Sequence, residues 1–366
     1  MHGAGRPLLS EVPLKIVSIT VTSNRAGVIG DALRSVAGWT DLFLIVDLGI
    51  TDDTLEVARG IAGAKLRVVR WDGPVEDGPF ADIRNFGLDE AAQMGADWGC
   101  ILDTDDRMET GDVDIKAELA VIGSGIVVVP CAEETYAKER FVKLPAVDRY
   151  TGGSHETIIP KRGKQTVLNS IHFSEVPKTP EQLKAKLLYL VDRLVKETDA
   201  DPGNPRLWYY LGDTLAGLDR NEEALKAFDR CSALRGWDEE SAWACFRMAV
   251  LLEGMGRRLD AIDICAAGLT RHAGIAELAW FAGEMSLRLG KAEQAIYWAR
   301  LAVANGTSHG EGHFVRPRVG FRYPFGTREG PYNLLSRAYR ALGMGKEAAA
   351  AEVIYNELLG GQNGAC

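Results

Sequence analysis

The chain lacks any long apolar run: nowhere in its 366 residues do about 18 apolar residues follow one another, so no membrane-spanning helix is expected. Met1 to Pro13 lacks the apolar stretch of roughly 7 to 15 residues that marks a secretory signal peptide. Cysteine is scarce and scattered, at 100, 131, 231, 245, 265 and 366, with no CxxC pair and no cluster with His at metal spacing. Reduced core thiols and a cytoplasmic location are the expectation. Basic excess is lacking too, since 42 Lys and Arg face 51 Asp and Glu for a net charge of −9. That balance disfavours nucleic acid as a partner, whose nonspecific affinity comes from cations displacing counterions, while leaving a local basic groove open. Against these absences stand 46% apolar residues, enough to fill two cores in a chain of this length.

The first half alternates short β-branched runs with helical stretches. Leu14 to Val21, Leu42 to Val46, Leu66 to Arg70, Trp98 to Leu102 and Gly125 to Val129 read as strands, with a further one at about Arg140 to Leu144. Between the first four lie Val28 to Ala37, Asp53 to Ile61 and Ile83 to Met94, which read as helices. Such alternation predicts an α/β domain with a mostly parallel sheet, whose ligand crevice opens at the carboxyl ends of the strands.

From about Pro180 the strand signal ends and Ala, Leu, Glu and Arg recur at the helical period. Leu211-Gly212 with Ala224 and Phe228 recurs as Met248-Ala249 with Ala261 and Cys265, then as Ala282-Gly283 with Ala295 and Ala299. The spacings are 37 and 34 residues, and small residues in a helix-turn-helix unit of that period are the tetratricopeptide signature. A last unit at Tyr332 to Ala348 follows an insertion, about Gly306 to Pro324, rich in His, Arg and aromatics. The insertion reads equally as a functional segment or an ordinary long loop. Domains of 1–178 and 179–366 are therefore expected.

Asp103-Thr104-Asp105-Asp106 directly follows the strand Trp98 to Leu102. Carboxylates gathered there repel one another, which a hard cation such as Mg²⁺ or Mn²⁺ would relieve; an acidic turn capping the next helix is the alternative. Upstream, the first strand ends in Thr20-Val21-Thr22-Ser23-Asn24-Arg25, the second in Val46-Asp47-Leu48-Gly49-Ile50-Thr51-Asp52-Asp53, and Phe80 to Gly87 carries Arg84-Asn85. In this order and on these strands, the four elements resemble the family-two glycosyltransferases of GT-A fold. The resemblance covers roughly residues 14–175, and the Asp201 to Gly212 junction is similar to the domain boundary of family members that carry a tetratricopeptide tail.

The resemblance implies a Rossmann-like, GT-A catalytic domain followed by an all-α repeat domain. It also implies a metal-dependent, inverting glycosyltransferase that takes a nucleotide sugar, UDP-linked by preference. Asp47 then matches the carboxylate that meets the nucleotide base, and Arg84 a basic residue near the nucleotide. Thr20, Asn24 and Thr104 fall in the same donor-binding set. Asp103 matches the carboxylate near ribose and metal, and Asp105 the metal-binding Asp. The chain departs from the family's Gly-Ser-x-Asp-Gly turn, having Gly49-Ile50-Thr51-Asp52-Asp53, and it extends the acidic motif by Asp106, whose role the sequence leaves open.

Glu156, in Gly152-Gly153-Ser154-His155-Glu156, resembles the Gly-x-x-His-Glu element of the repeat-bearing transferases and is the candidate base that would take the acceptor proton. His172 or His155 would complete the metal's ligands; each reads equally as a structural histidine. Lys161, Arg162 and Lys164 form a basic loop whose default reading is a solvated turn. Arg140 and Lys143 read either way. A repeat domain suits an extended peptide or protein acceptor. Polysaccharide assembly, glycosylation of a modified base in DNA, a nucleotidyltransferase, and a noncatalytic nucleotide-binding scaffold are the alternatives.

Overall fold

A computed structural model describes residues 13–75, 80–132, 136–158, 160, 165–307 and 324–360. The chain divides into two compact units, Met1–Pro177 and Lys178–Cys366. Among the described residues no helix is long and apolar enough to cross a membrane, and the five described cysteines are free and buried.

The first unit begins β1 (Ile16–Thr22), α1 (Ala26–Val36), β2 (Leu42–Asp47), α2 (Thr54–Ala62), β3 (Leu66–Arg70), α3 (Phe80–Gln93) and β4 (Trp98–Ile101). It continues β5 (Asp106–Glu109), α4 (Ile115–Ala120), β6 (Ile126–Pro130), β7 (Ala137–Lys143), β8 (Tyr150–Thr151), β9 (Thr157–Ile158), β10 (Thr166–Val167) and β11 (His172–Glu175). Seven strands form one sheet in the order β10-β6-β7-β4-β1-β2-β3. β4, β1, β2 and β3 run parallel, the first three as apolar strands buried on both faces and β3 as the more exposed edge. β7 runs antiparallel to both β4 and β6, so the sheet is mixed from β7 outward.

The period of two sorts the side chains into two cores. Ile16, Phe43, Ile45, Trp98 and Cys100 meet α1, α2 and α4, while Val17, Ile19, Leu44, Val46 and Ile101 meet α3. α3 lies close on the sheet because Gly87 faces β1. A Cβ there would stand 2.8 Å from Ile19 Cγ2 and 3.3 Å from Val46 Cγ2.

Two short ribbons extend the unit beyond the expected strands. β5 pairs antiparallel with β11, and β8 with β9. The acidic motif therefore does not cap a helix; Asp106 opens β5, and α4 is capped by Asp114, whose Oδ1 accepts from Lys116 N and Ala117 N at 3.1 Å each.

The second unit is helical throughout its described length. α5 (Pro180–Ala200) starts at a capping box in which Thr179 and Gln182 satisfy each other's backbone N–H groups. Four helical hairpins follow: α6 (Pro205–Ala216) with α7 (Asn221–Leu234), α8 (Asp238–Gly254) with α9 (Arg258–Arg271), α10 (Ala276–Arg288) with α11 (Ala292–Thr307), and α12 (Gly330–Ala341) with α13 (Gly345–Gly360). Each helix packs on the next along the chain, the stacking that a repeat period implies. The small residues of the motif sit where helices cross. A Cβ on Gly212 would meet the Phe228 ring at 2.8 Å, and one on Gly283 would meet Leu334 Cδ2 at 2.5 Å. Residues 308–323, nearly all of the Gly306 to Pro324 insertion, lie outside the described residues.

The first helices of successive hairpins are also tied by charge. Arg206 of α6 faces Glu240 of α8 at 3.7 Å, and Asp213 of α6 pairs with Arg247 of α8. Glu253 of α8 pairs with Arg288 of α10 at 2.5 Å. Glu284 of α10 takes both Nη atoms of Arg337 on α12, at 2.7 and 3.0 Å.

Candidate functional site

From β1 the chain passes through α1 to β2 on one side, and after β3 it returns through α3 to β4 on the other. This reversal makes the carboxyl ends of β1 and β4 a topological switch point, where open α/β sheets bind ligands. β4 delivers Asp103 there, two residues past Ile101. α3 delivers Arg84, one turn inside its start and one turn before Gly87, so the close approach at Gly87 sets how far the guanidinium reaches.

Arg84 holds two carboxylates at once. Its Nη2 donates to Asp103 Oδ1 at 3.0 Å, its Nε donates to Glu156 Oε1 at 2.6 Å, and its Cζ lies 5.7 Å from the Tyr150 ring centre. Arg140, on β7, takes the other oxygen of Asp103 at 3.3 Å and pairs with Asp106 Oδ2 at 2.8 Å, its Cζ 4.4 Å from the Phe173 ring centre. Asp106 Oδ2 also accepts from the backbone N of Asp103 at 2.9 Å. The result is an alternating chain of five charges, Glu156, Arg84, Asp103, Arg140 and Asp106, running from the crevice into the core. Asp106 is wholly buried.

Environment drives the two aspartates apart. Burial alone would raise the Asp103 carboxyl, yet Arg84 and Arg140 outweigh it and hold the group well below the usual carboxylate range. Burial pushes Asp106 up to about 6, against the pull of Arg140 and with added repulsion from Asp103. Cys100, buried near this pair, is pushed up to about 12 by burial and is no nucleophile.

Asn85 explains how Glu156, far along the chain, reaches this place. Its Oδ1 accepts from Tyr150 N and its Nδ2 donates to Tyr150 O, both at 2.9 Å, so one amide side chain grips the backbone of β8 as a neighbouring strand would. β8 and β9 then form a hairpin whose loop is turned by Gly152, at φ 102°, and carries His155 and Glu156. The Arg84-Asn85 pair thus does two jobs on adjacent residues: one side chain collects the carboxylates and the other anchors the loop that supplies one of them. Sequence reasoning matched the pair and gave Asn85 no role. It also left the role of Arg140 open, and in a strand with three other charged residues, Lys138, Glu139 and Lys143, nothing local singles it out.

Asp47 and Asn24, expected at a donor site, are knit into their own loops. Asp47 Oδ1 accepts from Gly49 N and Ile50 N, each at 2.7 Å, and Oδ2 from Arg70 at 3.1 Å. Burial opposes these bonds, but together they keep the carboxyl below its ordinary value. Gly49 sits at φ 107°, which a side chain would strain. Asn24 accepts from Thr51 N at 2.7 Å and Asp52 N at 3.2 Å and donates to Thr51 Oγ1 at 2.9 Å. Asp52 in turn accepts from Ala26 N at 3.2 Å, at the start of α1. Asp52 and Asn24 thus bind the two loops to each other.

The other candidates fall as follows. Thr20 is 1% exposed and points into the interior of the sheet, so it has no face for a donor. Thr104 and Asp105 occupy the turn between β4 and β5, where the Thr104 carbonyl accepts from Arg107 at 3.1 Å and the Asp105 carbonyl from Val176 N at 2.8 Å. His172 is exposed and pairs in register with Glu109, whereas Glu175 pairs with Asp106. Three residues of antiparallel strand separate His172 from that turn by about 10 Å. Among the described residues no three His, Cys, Asp or Glu side chains gather as metal ligands, so the set Asp103, Asp105, His155 and His172 does not form. Nor does Asp103 fit the part, because its two oxygens are taken by arginines that already neutralise it. Lys161, Arg162 and Lys164 lie outside the described residues.

No protein-family model and no curated protein matches the chain. Solved structures with some similarity include MamA, at 16% identity and a TM-score of 0.38 over 51% of this chain and 99% of that one. A putative kinesin light chain from Podosopora anserina with nearly identical TPR-like repeats has 12% identity and a TM-score of 0.39, over 50% of this chain and 90% of that one. PilF of Pseudomonas aeruginosa has 14% identity and a TM-score of 0.33, over 47% of this chain and 73% of that one. Likeness of this degree does not identify a family.

Proposed function

We propose that the chain is a partner-recruiting repeat protein whose α/β unit takes a nucleotide-type ligand at the β1/β4 switch point. The observation that carries this reading is the convergence of Arg84, Asp103 and Glu156 on that point, from a helix, a strand end and a hairpin far apart in sequence. A phosphate bound there would take the place of Glu156 on Arg84, whose guanidinium pairs well with phosphate oxygens. The stack of hairpins supports a partner-binding role for the second unit, with a peptide or protein segment the ligand class that suits it.

Thermal-shift titration of the full chain against UDP, GDP, CDP, TDP and their common sugars tests the first half of this reading, since a ligand that binds only the native state raises Tm. One nucleotide should raise Tm, and Arg84→Met should abolish the rise. No shift with any of them overturns the reading.

Glycosyl transfer is the finer reading, favoured by the position of Glu156 at the crevice. In it, an acceptor O–H loses its proton to Glu156 as its oxygen bonds the anomeric carbon. The bond from that carbon to the diphosphate breaks, and a nucleoside diphosphate departs. The Mn²⁺ or Mg²⁺ expected from the sequence has no place in this account, because Asp103 is committed to Arg84 and Arg140. Release of nucleoside diphosphate from a shift-positive sugar donor, followed by mass spectrometry, tests it. Glu156→Gln should lose turnover at least 100-fold (about 3 kcal/mol of barrier) and keep the thermal shift; unchanged turnover removes Glu156 from that role.

A further inference from the structure

The last helix, α13, differs from the equivalent helices of the stack on its outer face. Aligning the hairpins on Ala224, Ala261, Ala295 and Ala348 places Lys226, Asp229 and Arg230 of α7 level with Asp263, Ala266 and Ala267 of α9 and with Tyr297, Arg300 and Leu301 of α11. The same positions in α13 are Ala350, Val353 and Ile354. α7, α9 and α11 each carry at least one charge there, whereas α13 carries none. Val353 is 56% exposed and Ile354 38%, while Ala348 and Ala351 are buried in the hairpin.

The edge of α13 that would meet a following hairpin is, by contrast, polar. Ser232 is buried against Cys245 of the next helix, and Leu269 and Val303 pack on the hydrophobic core. Asn356, which is exposed, takes their place in α13.

The outer face is self-complementary. Lys346, Ala350, Val353 and Glu357 are exposed and fall within an arc of about 60° at 100° per residue. Their spacing of 4, 3 and 4 reads the same from either end, with a cation at one end and an anion at the other. Laid antiparallel on its own copy about the midpoint of this strip, the helix places Ala350 against Val353 and Lys346 against Glu357, each contact made twice as two-fold symmetry requires. From this pattern we propose that α13 is a homodimerisation helix, its occupant the α13 of a second copy of this chain, packed antiparallel.

One helix face is smaller than the roughly 800 Å² per partner of a stable interface, so the association is weak. Sedimentation equilibrium of the full chain from about 5 µM to 1 mM reads it. Lys346→Glu and Glu357→Lys should each weaken association at least tenfold, because each turns two attractive pairs into repulsive ones. The double swap Lys346→Glu/Glu357→Lys should restore it to within about threefold. Val353→Glu should abolish association, with Val353→Ser as the milder variant and far-UV circular dichroism as the check on folding. A wild-type chain monomeric to 1 mM overturns the proposal, as it would if the strip instead covered another protein. So do a dimer that all these variants leave intact and a double swap as weak as the single ones.

Discussion

Both units pair Arg with carboxylates, but they use the pairs differently. In the first unit five charges are concentrated at the ends of two strands, with Asp106 and Arg140 almost without solvent. In the second, ion pairs join the first helices of successive hairpins, with at least one partner of each pair in water. The difference teaches that charge does distinct work according to its surroundings. A buried cluster fixes geometry and is unforgiving of loss, whereas a ladder at the surface contributes a little at each step.

The comparison breaks most sharply at its buried end. Arg140→Met leaves Asp106 without its cation and should cost about 3 to 5 kcal/mol in urea unfolding of the first unit, while Arg140→Met with Asp106→Leu should recover most of that loss. A single substitution costing under about 1 kcal/mol would show that the cluster is held by something other than its ion pairs. Next in size, Gly87→Ala should destabilise by about 1 to 3 kcal/mol, since the new methyl overlaps Ile19. The same push on α3 should weaken any ligand that depends on Arg84, read by the thermal shift.

Acidity sharpens the contrast further. Asp106 titrates at about 6 in the folded chain against 3.8 for an ordinary Asp, so the native state holds the extra proton between those values. Stability therefore falls as pH rises from about 4 to 6 and stays at the lower level above. Asp103 acts in the opposite sense: held low, it contributes stability that is present above about pH 4 and lost as pH falls below it. Urea midpoints at pH 4.5 and pH 7 should differ in the wild type and converge in Asp106→Asn. Smallest of all, Arg288→Ala in the ladder should cost under about 1 kcal/mol, with little left of the effect in about 1 M salt.

Much of this was legible in the sequence, for identifiable reasons. β1 and β2 announced themselves because burial on both faces favours runs rich in Val, Ile and Leu, and the repeats did so because helix crossings demand Gly212, Ala249 and Gly283 at fixed spacing. Asp103, Arg84 and Glu156 were picked out separately, and the structure brings them together. What failed was whatever depends on pairing between distant strands. That β7 runs antiparallel, and so aims Arg140 at Asp103, is written nowhere near either residue. His172 looked like a ligand for the acidic turn until the register of β11 set it opposite Glu109, three residues too far. Asp106 sits one residue from Asp105, yet the start of β5 turns one into the core and leaves the other on the turn. β5, β8, β9, β10 and β11 are two to four residues long, too short for any period to show.

The ladder of the second unit has a mechanical consequence. Ties placed in series add their compliances, so a stack joined at every step bends by small equal amounts instead of hinging at one joint. Each tie is a spring whose stiffness falls as ionic strength rises, because added salt screens ion pairs that have at least one partner in water. Small-angle scattering of the repeat stack across a salt series would record that softening as a gradual change in dimension, with no transition, and a segment gripped along the stack would meet a surface whose give the surrounding solution sets.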